Sequence, residues 1–326
     1  AVQGTTLGVR IDINSPLTDS GDLADDARLQ AHVDTLSELL ERDGAVAVLA
    51  HQGRPGGDEF AGLRPHADRL DELLSAPVSY CDATFSEEAR DAVDDLDDGE
   101  AVVLENTRFY SEEYMEFPPD QAAETHLVDR LTPVLDAYVN DAFAAAHRSQ
   151  PSLVGFPTRL PGYAGRVMER ELDVLGGIET TAHPRAYVLG GAKVSDSIGV
   201  ARNVLERDLA DHVLTAGVVG NVFLFADGAD VGDATADFIH EQGYWDYIDD
   251  AAALLEEYGD RIRLPEDVAV ERDGDRHEVA RDAFPPGDGE AAMDVGSETI
   301  DAYSSVLADA ETVLLNGPAG VFEEET

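Results

Sequence analysis

Short apolar runs alternate with helical stripes along most of the 326-residue chain. Leu7 to Ile13 alternates apolar and polar residues, as a half-buried strand does. Arg28 to Leu40 then sets Leu29, Val33, Leu36 and Leu40 on one helical face. The runs Ala45 to Ala50, Ala101 to Leu104 and Ala137 to Val139 read as strands of a buried parallel sheet. Helices are expected between them at His66 to Leu74 and Gln121 to Leu131, and again at Glu169 to Leu175. Strands at Arg185 to Leu189 and His212 to Leu214 follow, with helices from about Asp196 to Leu209, Val219 to Phe225 and Ala251 to Tyr258. Asp267 to Val270 and Thr312 to Leu315 complete the strands, with a helix near Glu298 to Leu307 between them.

Such repeated βα units imply right-handed crossovers and mostly parallel sheets with helices on both faces. The length suits two domains. The expected architecture is α/β, with two lobes that are each a mostly parallel, doubly wound, Rossmann-like sheet. The Pro- and Gly-rich stretch Phe156 to Gly165 is the best linker. The lobes are therefore drawn at 1–160 and 179–326, with a linker and interdomain helix at 161–178.

Composition narrows the setting. The chain carries 68 acidic and 22 basic residues, a formal net charge of −46. The acids are dispersed rather than gathered in one tail, and 43% hydrophobic content rules out disorder as the reason for them. An acidic, lysine-poor surface fits a protein working at high salt, where self-repulsion is screened. It also repels nucleic acid and anionic membranes, so neither is an expected partner. Cys81 is the single cysteine, which excludes an intramolecular disulfide. No C-x-x-C or H-E-x-x-H pattern occurs, the nine histidines have no metal-ligand spacing, and no metal ligand is assigned. No secretory leader or apolar run of membrane-spanning length is seen, so a soluble, cytoplasmic chain is expected.

Candidate chemistry lies at the ends of the strands, where ligands bind in such sheets. The first strand ends Arg10-Ile11-Asp12-Ile13-Asn14, and the second runs into His51-Gln52-Gly53-Arg54. The third continues as Glu105-Asn106-Thr107-Arg108, and the last of this half as Asn140-Asp141-Ala142-Phe143 to His147-Arg148. One arginine per strand end would make an electropositive well for a small phosphorylated or carboxylated anion. In the second half, Gly190-Gly191-Ala192-Lys193 follows a strand and opens a helix. Backbone N–H groups and a helix N-terminus there suit a phosphate. Of the 22 basic residues 21 are arginines, so Lys193 is the only lysine. That economy favours a functional ammonium over an incidental one. Thr215-Ala216-Gly217 and Asn316-Gly317-Pro318-Ala319-Gly320 are further Gly-bearing loops after strands, suited to phosphate or a flat base. Neither a Walker A pattern nor G-x-G-x-x-G is present, which lowers the rank of a dehydrogenase-like reading.

Taken in order, these stretches resemble phosphoglycerate kinase from about residue 9 to the last residue, in the acidic dress of a halophilic archaeal member. The strongest pieces are Asn140 to Arg148, Leu104 to Phe109, Gly190 to Asp196 and Asn316 to Glu323. The resemblance implies an ATP:3-phosphoglycerate phosphotransferase of glycolysis and gluconeogenesis. Its N-terminal lobe would bind 3-phosphoglycerate, its C-terminal lobe ATP or ADP with Mg2+, and the two would close on each other. By motif match, Asp12 and Asn14 would hold the glycerate, and Arg28, His51, Arg54, Arg108 and Arg148 the phosphate and the group in flight. Lys193 would contact the transferring phosphoryl and, with Arg28, form the catalytic pair. Gly190, Gly191, Gly217, Asn316 and Gly317 would line the nucleotide site, with Glu323 on the ribose. A monomer is expected, a dimer being the alternative.

Two departures bear on this reading. Ser197 stands where many members have a second lysine, four residues after Lys193. The family also continues beyond the point matched by Thr326, with a Gly-Gly-Gly-Asp-Thr loop that carries the magnesium-binding aspartate and a segment that returns to the N-terminal lobe. The expectation is thus a kinase lacking its C-terminal segment. The alternative is a fragment that binds nucleotide or phosphoglycerate without turnover.

Overall fold

A computed structural model describes residues 2–18 and 20–321. The chain divides into two compact units, residues 1–176 and 177–326.

The first unit is built on β1 (Thr6–Arg10), α1 (Ala27–Ala31), α2 (Val33–Glu41), β2 (Ala45–Leu49), α3 (Arg64–Leu73), β3 (Val78–Cys81) and α4 (Glu87–Asp94). It continues through β4 (Ala101–Leu104), α5 (Pro119–Ala122), α6 (His126–Leu131), β5 (Ala137–Asn140), α7 (Pro151–Val154), β6 (Gly162–Ala164) and α8 (Arg166–Gly177). The strands form one sheet in the order β3-β4-β2-β1-β5-β6. Every pairing is parallel. Helices cover both faces, so β2 and β4 are buried along their whole length. That is why they read as unbroken apolar runs. One face packs Val9, Val46, Val48 and Val103 against Leu29, Leu36, Leu40 and Leu70. The other packs Leu49, Val102, Leu104 and Tyr138 against Val93, Leu127, Leu131 and Phe156. Each such side chain contributes about 1.5–3 kcal/mol on burial. From β1 the chain builds outward to β2 and β4, whereas β5 and β6 lie on the other side of β1. The carboxyl ends of β1 and β5 therefore flank a topological switch point, where a crevice opens.

The second unit contains β7 (Arg185–Leu189), α9 (Val194–Glu206), β8 (His212–Thr215), α10 (Gly217–Ala226), α11 (Asp233–Glu241) and α12 (Tyr247–Tyr258). It ends with β9 (Ile262–Arg263), β10 (Asp267–Arg272), β11 (Asp275–Ala280), β12 (Asp294–Val295), α13 (Ser297–Asp309) and β13 (Thr312–Asn316). A parallel sheet runs β13-β7-β8-β9, and a small antiparallel sheet runs β11-β10-β12. In α9 the buried positions Val194, Ile198, Ala201, Val204 and Leu205 form the stripe that docks on the sheet. The switch point falls between β7 and β13, at the Gly190-Gly191 and Gly317-Pro318 turns.

Three local expectations change. The helix from Arg28 to Leu40 is broken at His32, whose ring is engaged by tertiary partners described below. The helix from Gln121 to Leu131 is broken at Thr125, which turns extended (ψ 156°) while its hydroxyl donates to the Ala122 carbonyl at 2.7 Å. The 156–165 stretch is no free connector, because Gly162–Ala164 pairs with β5 as an edge strand. Among the described residues, no helix is long and apolar enough to cross a membrane.

Candidate active site

The carboxyl ends of β1, β2, β4 and β5 bring five arginines and a histidine into one electrostatic neighbourhood. Arg10, the last residue of β1, is only 3% exposed. Its Nε donates to Ser152 Oγ at 3.0 Å, Nη1 to the Ile11 carbonyl, and Nη2 to His51 Nδ1 at 2.9 Å. A guanidinium has only donors, so His51 Nδ1 must be the acceptor and its Nε2 must carry the proton. Burial, and then the charges of Arg10, Arg108, Arg148 and Arg28, hold the His51 pKa down at about 2. His51 is thus a neutral N–H donor across the working pH range.

Gly53 ties the next two strand ends together. Its N–H donates to Asn14 Oδ1 at 2.7 Å, and its carbonyl accepts from Arg108 Nη1 at 2.9 Å. The residue sits at φ +64°, and a Cβ there would lie 2.4 Å from the Glu59 carbonyl oxygen, so only glycine fits. Gln52 braces the same turn, with Ser15 N–H on its Oε1 at 3.0 Å and its Nε2 on the Ser15 carbonyl at 2.8 Å. Asn106 donates to the Gln52 and Ala61 carbonyls at 2.8 Å each and caps the turn that carries Arg108. Arg108 is buried, and its pKa is lowered by burial and by Arg148, Arg10 and Arg54 nearby. Arg28 pairs with Asp12 at 2.7 Å yet keeps 48% of its side chain exposed. Arg54 is exposed, and Arg148 is half-buried with Nε on His147 Nε2 at 3.3 Å. No carboxylate among the described residues forms an ion pair with Arg10, Arg54, Arg108 or Arg148. In a chain of net charge −46, leaving these four cations unneutralised at one end of a sheet makes a binding well for an anion.

The second unit has three interlocked loops after β7, β8 and β13. Gly190 N–H donates to the Asn316 carbonyl at 2.8 Å and Gly191 N–H to the Pro318 carbonyl at 2.7 Å. Gly191, Gly217 and Gly317 all have φ between +55° and +79°. A Cβ on Gly190 would stand 2.2 Å from the Pro318 carbonyl oxygen. Beside these loops lies a cavity of about 410 Å³ lined by Ala192, Val218, Phe238, Met293, Pro318 and Asn221 among others. Its largely apolar lining suits a flat base. Lys193 occupies the N-cap position of α9, exposed, with no ion-pair partner among the described residues. Ser197 is turned inward and buried at 1% exposure, within the stripe that packs on the sheet. Glu323 and Phe322 lie outside the described residues.

The sequence motifs thus gather into two constellations. In the first unit are Asp12, Asn14, Arg28, His51, Arg54, Arg108 and Arg148. In the second are Gly190, Gly191, Lys193, Gly217, Asn316 and Gly317. Sequence reasoning counted Arg10 among the strand-end arginines without giving it a role of its own, and passed over His32 and Gln52.

The phosphoglycerate kinase (PGK) family model matches residues 1–326. The chain belongs to the phosphoglycerate kinase family. A phosphoglycerate kinase of the halophilic archaeon Halobacterium salinarum is 68% identical over 325 residues, covering 100% of this chain and 82% of the relative. One from Natronomonas pharaonis is 65% identical, covering 99% and 81%. The crystal structure of phosphoglycerate kinase from Pyrococcus horikoshii OT3 superposes with a TM-score of 0.92 at 41% identity, covering 99% of this chain and 80% of that one.

Proposed function

We infer that the chain is a phosphotransferase that moves a phosphoryl group reversibly between 1,3-bisphosphoglycerate with ADP and 3-phosphoglycerate with ATP, and we assign its residues accordingly. Membership of the family supports the reaction. The observation that carries the assignment is the group of arginines left without acidic partners at the β1/β5 switch point.

In this reading Arg54, Arg108 and Arg148 hold the phosphate of 3-phosphoglycerate. Planar guanidinium forks match its oxygens better than ammonium groups would. His51 adds a neutral Nε2–H donor. Asp12 and Asn14 receive the glycerate hydroxyl and carboxylate side. Arg28 and Lys193, each described within its own unit, are assigned to offsetting the charge that spreads over the transferring group. Such a reaction needs positioning and charge stabilisation rather than covalent help from the protein. No general base is required, because the acceptor carboxylate and the ADP phosphate are already ionised. The nucleotide rests on the Gly190-Gly191, Gly217 and Asn316-Gly317 loops, with its base in the apolar cavity and Glu323 assigned to the ribose. It arrives as its Mg2+ complex. Mg2+ keeps several waters and binds mainly through substrate phosphates and one or two carboxylates. Among the described residues, no three His, Cys, Asp or Glu side chains are grouped to hold a metal ion by themselves. We place the enzyme in the cytoplasm as a monomer, a setting in keeping with its buried, unpaired Cys81.

The test is Lys193→Ala, assayed for ADP-dependent and ATP-dependent transfer in molar KCl, with 3-phosphoglycerate affinity measured by calorimetry. Removing one charge-stabilising donor is expected to lower kcat by about 100- to 1,000-fold while leaving that affinity nearly intact. Transfer at the wild-type rate would refute the role of Lys193. A wild-type chain that binds both ligands without transferring phosphate would leave a binding protein in place of an enzyme.

A further inference from the structure

His32 stands at the break between α1 and α2, 3% exposed, and no step of the reaction uses it. Its Nδ1 lies 2.7 Å from Asp141 Oδ2. Its Nε2 lies 3.1 Å from the backbone nitrogen of Asp12 and 3.2 Å from the Asp12 carbonyl oxygen. Asp141 is fully buried, and its second oxygen, Oδ1, accepts the N–H groups of Val167 at 2.8 Å and Met168 at 3.2 Å. Those are the first-turn amides of α8, which a helix leaves unsatisfied unless something caps them. The contact is tight: a Cβ on Gly165 would stand 2.2 Å from Asp141 Oδ1. On the other side, Asp12 Oδ2 holds Arg28 at 2.7 Å.

These contacts form one connected line, Arg28–Asp12–His32–Asp141–α8, in which Asp12 takes Arg28 on its carboxylate and offers its backbone N–H to His32. The partners also fix the ring. A carboxylate can only accept, so Nδ1 carries the proton, and Nε2 is left bare to accept the Asp12 N–H. A ring bonded at both nitrogens cannot follow a shift of Asp12 without moving Asp141. A fully buried carboxylate, in turn, cannot give up its donors without a large desolvation cost.

We propose that His32 is a positioning residue that couples occupancy of the Arg28–Asp12 pair to the first turn of α8, whose last residue, Gly177, opens the second unit. This rests on the assignment of Arg28 and Asp12 to the substrate. The effect is carried entirely by residues of the first unit. When 3-phosphoglycerate draws on Arg28 and Asp12, the change is read at the Val167 and Met168 amides. Arg166 N–H, one residue earlier, is held separately by Thr35 Oγ1 at 2.9 Å and provides an internal control.

The experiment is residue-resolved hydrogen exchange at Val167 and Met168, with and without saturating 3-phosphoglycerate, together with steady-state kinetics. His32→Asn keeps a donor near Asp141 and loses Asp12. His32→Gln reaches toward Asp12 and loses Asp141. In wild type the ligand is expected to slow exchange at both amides by at least about threefold. Both His32 variants are expected to lose that response, and their KM for 3-phosphoglycerate to rise about three- to tenfold, the scale of one lost hydrogen bond. Their KM for MgATP is expected to stay put. Thr35→Ala, which loosens the same helix start without touching the line, is expected to keep the response. The coupling is overturned if wild type shows no ligand-dependent protection, if either His32 variant retains it, or if Thr35→Ala also abolishes it. Asp12→Ala, which removes a glycerate-binding side chain and keeps the backbone N–H on His32, separates the two levels of the reading. Unchanged 3-phosphoglycerate affinity in that variant refutes the substrate assignment itself. Lost affinity there, with the response intact in the His32 variants, refutes the coupling alone.

Discussion

Buried histidines of the first unit make interior hydrogen bonds, and for His66 burial makes protonation costly. His66 is fully buried with Nε2 3.0 Å from Gln52 Oε1, and burial lowers its pKa to about 4. The unfolded chain takes up that proton near pH 6.5 and the native chain does not. Stability therefore falls as pH drops below about 6.5, and the loss continues until the native group also titrates near 4. At pH 5 the span is about 1.5 pH units, or roughly 2 kcal/mol from this residue. His66→Leu should flatten the pH dependence of the urea midpoint between pH 7 and pH 5 relative to wild type. An unchanged slope would show that His66 is protonated in the native state. The same chemistry explains what sequence reading missed. Gln52 and His32 do nothing recognisable by type or spacing, because their roles arise from partners 7 to 109 positions away.

At the level of elements, the strands were the most legible part of the chain. Ala45–Leu49, Ala101–Leu104 and Arg185–Leu189 are buried on both faces, so composition alone marks them. The antiparallel sheet was harder to see: β11 is a polar edge strand, and β12 has two residues. One cue was present in Asp273-Gly274, whose positive φ values of 56° and 85° make the tight hairpin between β10 and β11. The glycine loops of the second unit were legible as phosphate-type turns, but their mutual locking was not, since it depends on three strand ends meeting. Two substitutions separate these roles. Gly190→Ala drives a Cβ into the Pro318 carbonyl and should cost more than about 2 kcal/mol while weakening nucleotide binding. Gly199→Ala, mid-helix in α9 with nothing within 4 Å of the added Cβ, should stabilise by about 0.5–1 kcal/mol. Thermal melts and nucleotide titrations of the two variants check this, and equal effects would deny the loops their close packing.

Across the whole molecule, the −46 charge sets the operating conditions. The Debye length shrinks from about 10 Å at 0.1 M salt to about 3 Å at 1 M, so repulsion among dispersed carboxylates fades over that range. The melting temperature should climb between 0.1 M and 2 M KCl, and a flat or falling curve would remove the high-salt reading. The unpaired arginines at the β1/β5 crevice have a kinetic corollary. An anion arriving in dilute buffer meets a surface that turns it away before it reaches those arginines. Salt weakens both the outer barrier and the inner trap. Stopped-flow binding should therefore show the capture rate of 3-phosphoglycerate rising with KCl and its dwell time shortening, whereas in an ordinary electrostatically steered enzyme salt slows capture. This chain would then collect its substrate fastest where the brine is strongest.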